Sequence, residues 1–236
     1  MRLLLTRPVF EAERTAAALR QRGHDVVFAP MLEIENIPDV SFGSGPWSAV
    51  LMTSGNAARA IAVHPQRAAL TSLRCFAVGP QTAVAAQRGG FAHAVAANGD
   101  GGDLARTIAQ HMSGEQVPLL YLAGDDRARD MAAELAPFGL RLHIVVVYRA
   151  KAAGRFSSEI NDTLRAGQID GVFHYSRRST EIFVACAYRD DLIPAITGLK
   201  HFCLSKRASE PLSDIGARHI SIAARPDEAA MLDLIS

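Results

Sequence analysis

Residues 50–58 read VLMTSGNAA: an apolar run ends in small polar residues and continues as an alanine-rich stretch. Buried parallel strands are continuous apolar runs, and Ser, Thr and Asn are the residues that cap a helix following such a strand. The stretch therefore predicts a strand, a polar turn from Thr53 to Asn56, and a helix. Ligands of open α/β sheets bind at the carboxyl ends of strands, so this turn is a candidate binding element. An ordinary turn and cap is the alternative interpretation.

A related pattern occurs at residues 171–180, GVFHYSRRST, where an apolar run again leads into polar residues and a helical stretch. Residues 119–148 likewise repeat the strand, helix and strand of residues 3–30, and further helices follow residues 76–83 and 202–206. Similarity over about half the chain indicates two related α/β domains. The alternative is chance similarity between generic strand-helix units.

The composition limits the possible classes of protein. The chain has 236 residues, 49% of them hydrophobic and 21% charged, which suits two small globular domains. Its formal net charge of +1 gives no overall attraction for nucleic acid or a membrane surface, so we expect neither as a partner. The cysteines Cys75, Cys186 and Cys203 lack CxxC spacing and are expected to be buried thiols. No apolar run approaches the length of a membrane span, and we expect a cytoplasmic protein.

Two segments interrupt the repeat, MLEIENIP at 31–38 and VVVYRA at 145–150, and both are expected to be exposed or edge strands. If they pair, the chain crosses twice between domains. We therefore predict two similar parallel-sheet α/β domains of the flavodoxin or Rossmann type, joined by a two-stranded β linker. The predicted boundaries are residues 1–33 plus 151–236 for a discontinuous first domain, 39–143 for the second, and 34–38 and 144–150 for the linker strands.

Several signatures of cofactor chemistry are missing from the sequence. No GxGxxG follows a strand, and no Walker A, HExxH, EF-hand or GxSxG pattern occurs, so we predict no dinucleotide, no metal and no covalent hydrolysis. His174 and His201 are interpreted as histidines on strand faces. The stretch GPQTA at 79–83 opens a helix whose free amides and Thr82 hydroxyl could hold a carboxylate or phosphate. A plain turn and cap remains the alternative.

Basic residues recur at or near predicted strand ends and turns: Arg7, Arg127, Arg149, Arg177, Arg178, Lys206 and Arg207. A solvated face is the ordinary explanation of any one of them. Several converging on one site would suit a polyanionic substrate.

Four short motifs, LTRP at 5–8, MTSGNA at 52–57, VGPQTA at 78–83 and VYR at 147–149, occur in an order that resembles the uroporphyrinogen-III synthase family. The resemblance covers the whole chain. It implies two α/β domains joined by a two-stranded linker, in agreement with the layout above. It also implies a linear tetrapyrrole substrate, hydroxymethylbilane, that bears eight carboxylates and closes to uroporphyrinogen III with loss of water and inversion of the last ring. No metal or organic cofactor is implied.

The resemblance also assigns candidate site residues. It implies that the substrate is contacted by Thr53, Ser54, Asn56, Thr82 and Ser176, with Arg7 near the site and Tyr148 as the acid or an orienting hydroxyl. The reaction depends mainly on positioning, and carboxylates held at helix N-termini would provide it. The alternative for Tyr148 is a tyrosine that only packs.

The sequence departs from the family pattern at residues 205–209, SKRAS, where a glycine and at least one threonine of the expected turn are missing. Lys206 and Arg207 supply charge there instead, or the corner is only structural. A second function stays open at this stage, a non-catalytic two-domain module that binds a small anion, and a glycosyltransferase-like pair of domains is a weaker third. We expect a monomer.

Overall fold

The computed structural model describes residues 1–127 and 129–235. The described chain divides into two compact units, Met1–Glu33 with Lys151–Ser236, and Ile34–Ala150. We call them the terminal unit and the middle unit. Each is a predominantly parallel sheet covered by helices, so the predicted α/β class is confirmed.

The chain begins with β1 (Arg2–Leu5), α1 (Val9–Gln21), β2 (Asp25–Phe28) and β3 (Leu32–Asn36). The middle of the chain then contributes β4 (Val50–Met52), α2 (Gly55–Ala62), α3 (Arg67–Thr71), β5 (Cys75–Ala77), α4 (Pro80–Arg88), β6 (Ala94–Ala96), α5 (Gly101–His111), β7 (Leu119–Gly124), α6 (Met131–Leu135), a 3-10 turn (Ala136–Phe138) and β8 (Leu142–Ala152). The last third contributes α7 (Ser158–Arg165), β9 (Gly171–His174), α8 (Arg177–Arg189), α9 (Ile193–Ile196), β10 (Lys200–Cys203), α10 (Lys206–Asp214), β11 (His219–Ile222), α11 (Glu228–Leu232) and a 3-10 turn (Asp233–Ile235).

The sheet of the terminal unit has the order β11-β10-β9-β1-β2, and its strands are parallel. The interior strand β1, between β9 and β2, is buried on both faces. Leu4 packs in one apolar cluster with Val172, whereas Leu3 and Leu5 pack in the cluster on the opposite face. A strand with both faces covered must be apolar at every position, which is why the sequence reads as an uninterrupted leucine run.

The sheet of the middle unit has the order β3-β8-β7-β4-β5-β6. Here β7, β8, β4, β5 and β6 occupy the places that β1, β2, β9, β10 and β11 occupy in the terminal unit. The middle unit therefore has the same strand arrangement with its chain connections permuted, because β7 and β8, the counterparts of β1 and β2, come after β4, β5 and β6 along the chain. The repeat read from the sequence is confirmed at every paired element.

The predicted pairing of the two linker segments is also confirmed. The Ile37 amide donates to the Val147 carbonyl at 2.9 Å, and the Ala153 amide donates to the Met31 carbonyl at 3.0 Å, so the strands run antiparallel. The prediction gave both as exposed or edge strands, and the edge alternative is wrong for β8, which lies between β3 and β7. Val145 and Val147 are buried there, and their burial explains the apolar run.

Among the described residues, no helix combines the length and the apolar character that crossing a membrane requires. All three cysteines are buried free thiols, as predicted.

Candidate functional site

The polar turn after β4 lies where the sequence places it. Ser54 is the N-cap of α2, and its Oγ accepts the Asn56 amide at 3.2 Å. The Asn56 side chain is buried, and its amide oxygen accepts a hydrogen bond from Arg59. Thr53 is half-buried and shares a hydrogen bond of 2.8 Å with the Tyr121 hydroxyl. The turn follows β4 at the boundary with β7, where the strand order reverses, and ligands of open α/β sheets bind at such positions.

The turn after β5 differs from the turn after β4 because no side chain caps its helix. Gly79 is the N-cap of α4 and Pro80 follows it, so the first amides of this helix lack intrahelical partners. Thr82 is buried, and its hydroxyl forms no hydrogen bond with any described residue. A Cβ built on Gly55 would lie 3.0 Å from the Ala85 Cβ, so the start of α2 packs on α4 one turn after Thr82. The structure thus brings the 53–56 turn and Thr82 into one neighbourhood.

Tyr148 lies at the end of the paired part of β8, opposite Gly124 of β7, where the register shifts by one residue. Its ring packs directly on Gly124: a Cβ at that glycine would lie 2.6 Å from Tyr148 Cζ and 2.7 Å from its hydroxyl oxygen. The Asp125 amide donates to the Tyr148 carbonyl at 3.0 Å and fixes the backbone there. The phenol is half-buried at the same sheet edge as the 53–56 turn.

Sequence reasoning missed Tyr121, which joins these groups. It stands on β7 beside β4, it is buried, and its hydroxyl contacts Thr53. Burial raises the pKa of Tyr121, and the nearby Tyr148 phenol raises it further, whereas Thr53 and Arg127 lower it. The available signal was a single tyrosine in the otherwise apolar strand LLYLAG.

In the terminal unit, Arg7 follows β1 and is held by neighbouring side chains. Its guanidinium pairs with Glu228 at 3.1 Å and with Glu11 at 3.2 Å, and it stacks over the Tyr175 ring at 4.2 Å from the centroid. Tyr175 in turn donates to Glu228 at 3.3 Å, and burial raises its pKa. The guanidinium already binds two carboxylates, and among the described residues only its buried Nε lacks a partner.

Ser176 is the N-cap of α8, as the repeat predicts. Its Oγ accepts the Ser179 amide at 3.1 Å and contacts the Ser179 hydroxyl at 2.9 Å. Ser205 caps α10 in the same way and accepts the Ala208 amide at 3.3 Å. The atypical 205–209 turn therefore still has a side-chain helix cap. Lys206 and Arg207 are exposed next to Ser205.

His174 and His201 are confirmed as buried strand histidines, with 3.1 Å between Nε2 and Nδ1. Within the described ranges, no group of three or more His, Cys, Asp or Glu side chains is placed to hold a metal ion. A groove of about 730 Å³ runs along the free edge of β2, and none of the predicted site residues lines it.

The fold and these strand ends define a class: α/β proteins built from two similar parallel-sheet units, with hydroxyl-rich turns where such sheets bind ligands. A family model described as HEM4, uroporphyrinogen-III synthase HemD, matches residues 13–233. The chain therefore belongs to the uroporphyrinogen-III synthase family, lyases that cyclise hydroxymethylbilane. The non-catalytic module receives no support.

Solved structures agree with the fold. The uroporphyrinogen-III synthetase of Helicobacter pylori is 17% identical with a TM-score of 0.67, and the match covers 100% of this chain and 98% of that one. A mutant uroporphyrinogen III synthase of the extremely thermophilic bacterium Thermus thermophilus is 16% identical with a TM-score of 0.54, covering 100% and 97%. A search of curated proteins gave no significant match.

Proposed function

We propose that this protein closes hydroxymethylbilane to uroporphyrinogen III in tetrapyrrole biosynthesis, and that substrate carboxylates bind at the strand ends described above. One observation supports the proposal: in the middle unit Thr53 and Ser54 follow β4, Thr82 lies in the first turn of the helix after β5, and Tyr148 pairs with Gly124 at the carboxyl end of β7. Family membership supplies the reaction.

Carboxylate binding follows from the chemistry of these turns. The amides at the start of α4, which no side chain caps, and the Thr82 hydroxyl, which bonds no described residue, are donors at the positive end of a helix, and this end favours an anion. Thr53, Ser54 and Asn56 offer further polar groups one strand away. In the terminal unit we propose Ser176 as a contact. Arg7 is proposed to lie near the bound substrate, although its guanidinium is already paired with Glu11 and Glu228.

Tyr148 is proposed to assist departure of the substrate hydroxyl. Its phenolic O–H can donate a hydrogen bond to the leaving oxygen, which assists departure without adding a negative charge beside the cation. The C–O bond breaks with its electron pair leaving on oxygen, and the pyrrole nitrogen stabilises the resulting azafulvene-type cation. The last ring attacks through its substituted carbon to give a spiro intermediate, which fragments and recloses. When that ring regains aromaticity it loses a proton. This proton replaces the one that the leaving hydroxyl took up to become water.

Ring inversion depends on how the flexible chain is held. Several carboxylates fixed at separate helix ends restrict the substrate to conformations in which the substituted carbon of the last ring is the nearest nucleophile. Without that restriction the unsubstituted carbon attacks and the ring is not inverted.

We further propose that the domain boundaries follow the predicted segments, with 34–38 and 144–150 as linker strands, and that the protein is a cytoplasmic monomer. Buried free thiols fit a reducing compartment. Limited proteolysis, sedimentation velocity and cell fractionation test these points.

The function is tested by incubating the purified chain with freshly made hydroxymethylbilane and resolving the type I and type III isomers after oxidation. We expect the type III isomer to dominate. An isomer ratio equal to that of the enzyme-free control would contradict the proposal.

A further inference from the structure

We propose that Tyr121 is a positioning residue for substrate binding and that it acts through Thr53. The Tyr121 hydroxyl lies 2.8 Å from Thr53 Oγ1, and the two residues are 68 positions apart in the chain. Register explains the contact: Leu51 pairs with Tyr121 across the β4/β7 ladder, so Thr53 stands two residues beyond it at the strand end. The inference rests on the proposed function, because it assumes that Thr53 contacts the substrate.

The direction of this hydrogen bond decides what Thr53 can do. Each hydroxyl donates one hydrogen, so a pair sharing one bond keeps one free O–H. A phenol is far more acidic than an aliphatic alcohol, so Tyr121 is the better donor, and its donation leaves the Thr53 hydrogen free. Tyr121 is 2% exposed whereas Thr53 is half-buried, so a ligand can reach the threonine and not the tyrosine.

A substrate carboxylate that accepts a hydrogen bond from Thr53 would strengthen the hydrogen bond between Tyr121 and Thr53. Donors linked in series polarise one another, and a buried phenol behind the threonine makes the threonine a better donor. Burial raises the pKa of Tyr121, so the phenol keeps its proton throughout the neutral range. Tyr121 thereby orients Thr53 and increases its affinity for an anion without touching the substrate.

A double-mutant cycle tests this coupling. Kinetics are measured for the wild type, Tyr121→Phe, Thr53→Val and the double variant, with Tyr188→Phe as control because Tyr188 is 59% exposed. We expect Tyr121→Phe to raise KM about three- to tenfold, as for loss of one hydrogen bond, with kcat within about twofold of wild type. The double variant should show the KM of Thr53→Val alone. Tyr188→Phe should leave KM unchanged.

If Tyr121 were merely structural, Tyr121→Phe would lower the thermal midpoint, and its effect on KM would multiply with that of Thr53→Val. Such independent effects would overturn the inference. An unchanged KM in Tyr121→Phe would overturn it as well. If Thr53→Val does not fold, Thr53→Ala takes its place: it also lacks the hydroxyl, so Tyr121→Phe must leave KM unchanged in that background. A wild-type chain that does not convert hydroxymethylbilane overturns the proposed function and this inference together. An active wild type without coupling overturns the inference alone.

Discussion

At the scale of single residues, Tyr148 is the group on which the proposed chemistry depends. We expect Tyr148→Phe to lower kcat about ten- to a few hundred-fold, because the hydrogen bond to the leaving hydroxyl is lost while packing is kept. KM and the type III outcome should change little, since folding of the substrate depends on other contacts. Steady-state assays with isomer analysis check this. Normal turnover would mean that Tyr148 only packs, and release of the type I isomer would mean that it orients the last ring.

Gly124 is the residue that makes room for Tyr148. A methyl group there would lie 2.6 Å from Tyr148 Cζ, so Gly124→Ala must displace the ring. Misplacing a catalytic group by about 1 Å costs about 100-fold in rate, so we expect kcat to fall about 10- to 100-fold. Gly198→Ala is the matched control, because no atom lies within 4 Å of its added methyl group. Wild-type kcat in Gly124→Ala would show that the position of the ring does not matter.

At the scale of elements, the helix starts separate into capped and uncapped ends. Ser54 caps α2, so Ser54→Ala should lower the free energy of unfolding by about 0.5–2 kcal/mol and also raise KM. Thr82 caps nothing, so Thr82→Ala should raise KM by the equivalent of about 1–3 kcal/mol with little loss of stability. Ser157→Ala, at the cap of α7, is the control and should lower stability alone. Denaturant titrations and steady-state kinetics measure both quantities, and unchanged kinetics in Ser54→Ala and Thr82→Ala would make them ordinary structural residues.

The start of α10 tests whether charge replaces the missing turn residues. Lys206 and Arg207 are exposed after the carboxyl end of β10, whereas Lys200 is exposed at its amino end. We expect Lys206→Gln with Arg207→Gln to raise KM about three- to tenfold at low ionic strength and to flatten its salt dependence, because exposed charges are screened by salt. Lys200→Gln should leave the profile of KM against salt unchanged. An unaltered profile in the double variant would assign this corner to structure.

At the scale of the whole molecule, the buried pair His174 and His201 makes stability depend on pH. Burial lowers the pKa of both below 6.5, and the folded chain therefore favours the neutral rings. His201 lowers the pKa of His174 further, whereas the Ile196 carbonyl partly offsets the effect of burial on His201. Their full contribution to the free energy of unfolding is therefore present above pH 6.5. It is lost as the pH falls from there toward the pKa that the rings have in the folded state. Between those two pKa values the free energy of unfolding falls by at most about 1.4 kcal/mol per pH unit for each ring.

We expect the thermal midpoint of the wild type to fall between pH 7 and pH 5, and to fall less in the variant His174→Gln with His201→Gln. The exposed His93→Gln is the control and should follow the wild type. Differential scanning calorimetry at matched ionic strength measures the midpoints. Equal falls in the wild type and the double variant would show that other groups govern acid unfolding.

Much of this molecule follows from local sequence. Apolar runs predicted β1, β4, β7 and β9, and the polar residues after β4 and β9 predicted the turns that open α2 and α8, since strand burial and turn formation act over a few neighbouring residues. Corresponding turns in the two halves predicted the duplication for the same reason. Apolar residues alone did not predict that β8 is flanked on both sides, because an edge strand and an interior strand can have the same composition.

Which distant residues meet was decided only by the tertiary structure. The Thr53–Tyr121 contact exists because β4 lies beside β7, a neighbour set by the permuted strand order of the middle unit and not by proximity in the chain. Similarly, Arg7 looks like a free cation in the sequence, but folding brings Glu228 to it from the far end of the chain. Backbone preference and periodicity are local properties. Partners separated by tens or hundreds of residues are chosen by how strands and helices pack, and no single stretch of sequence carries that information.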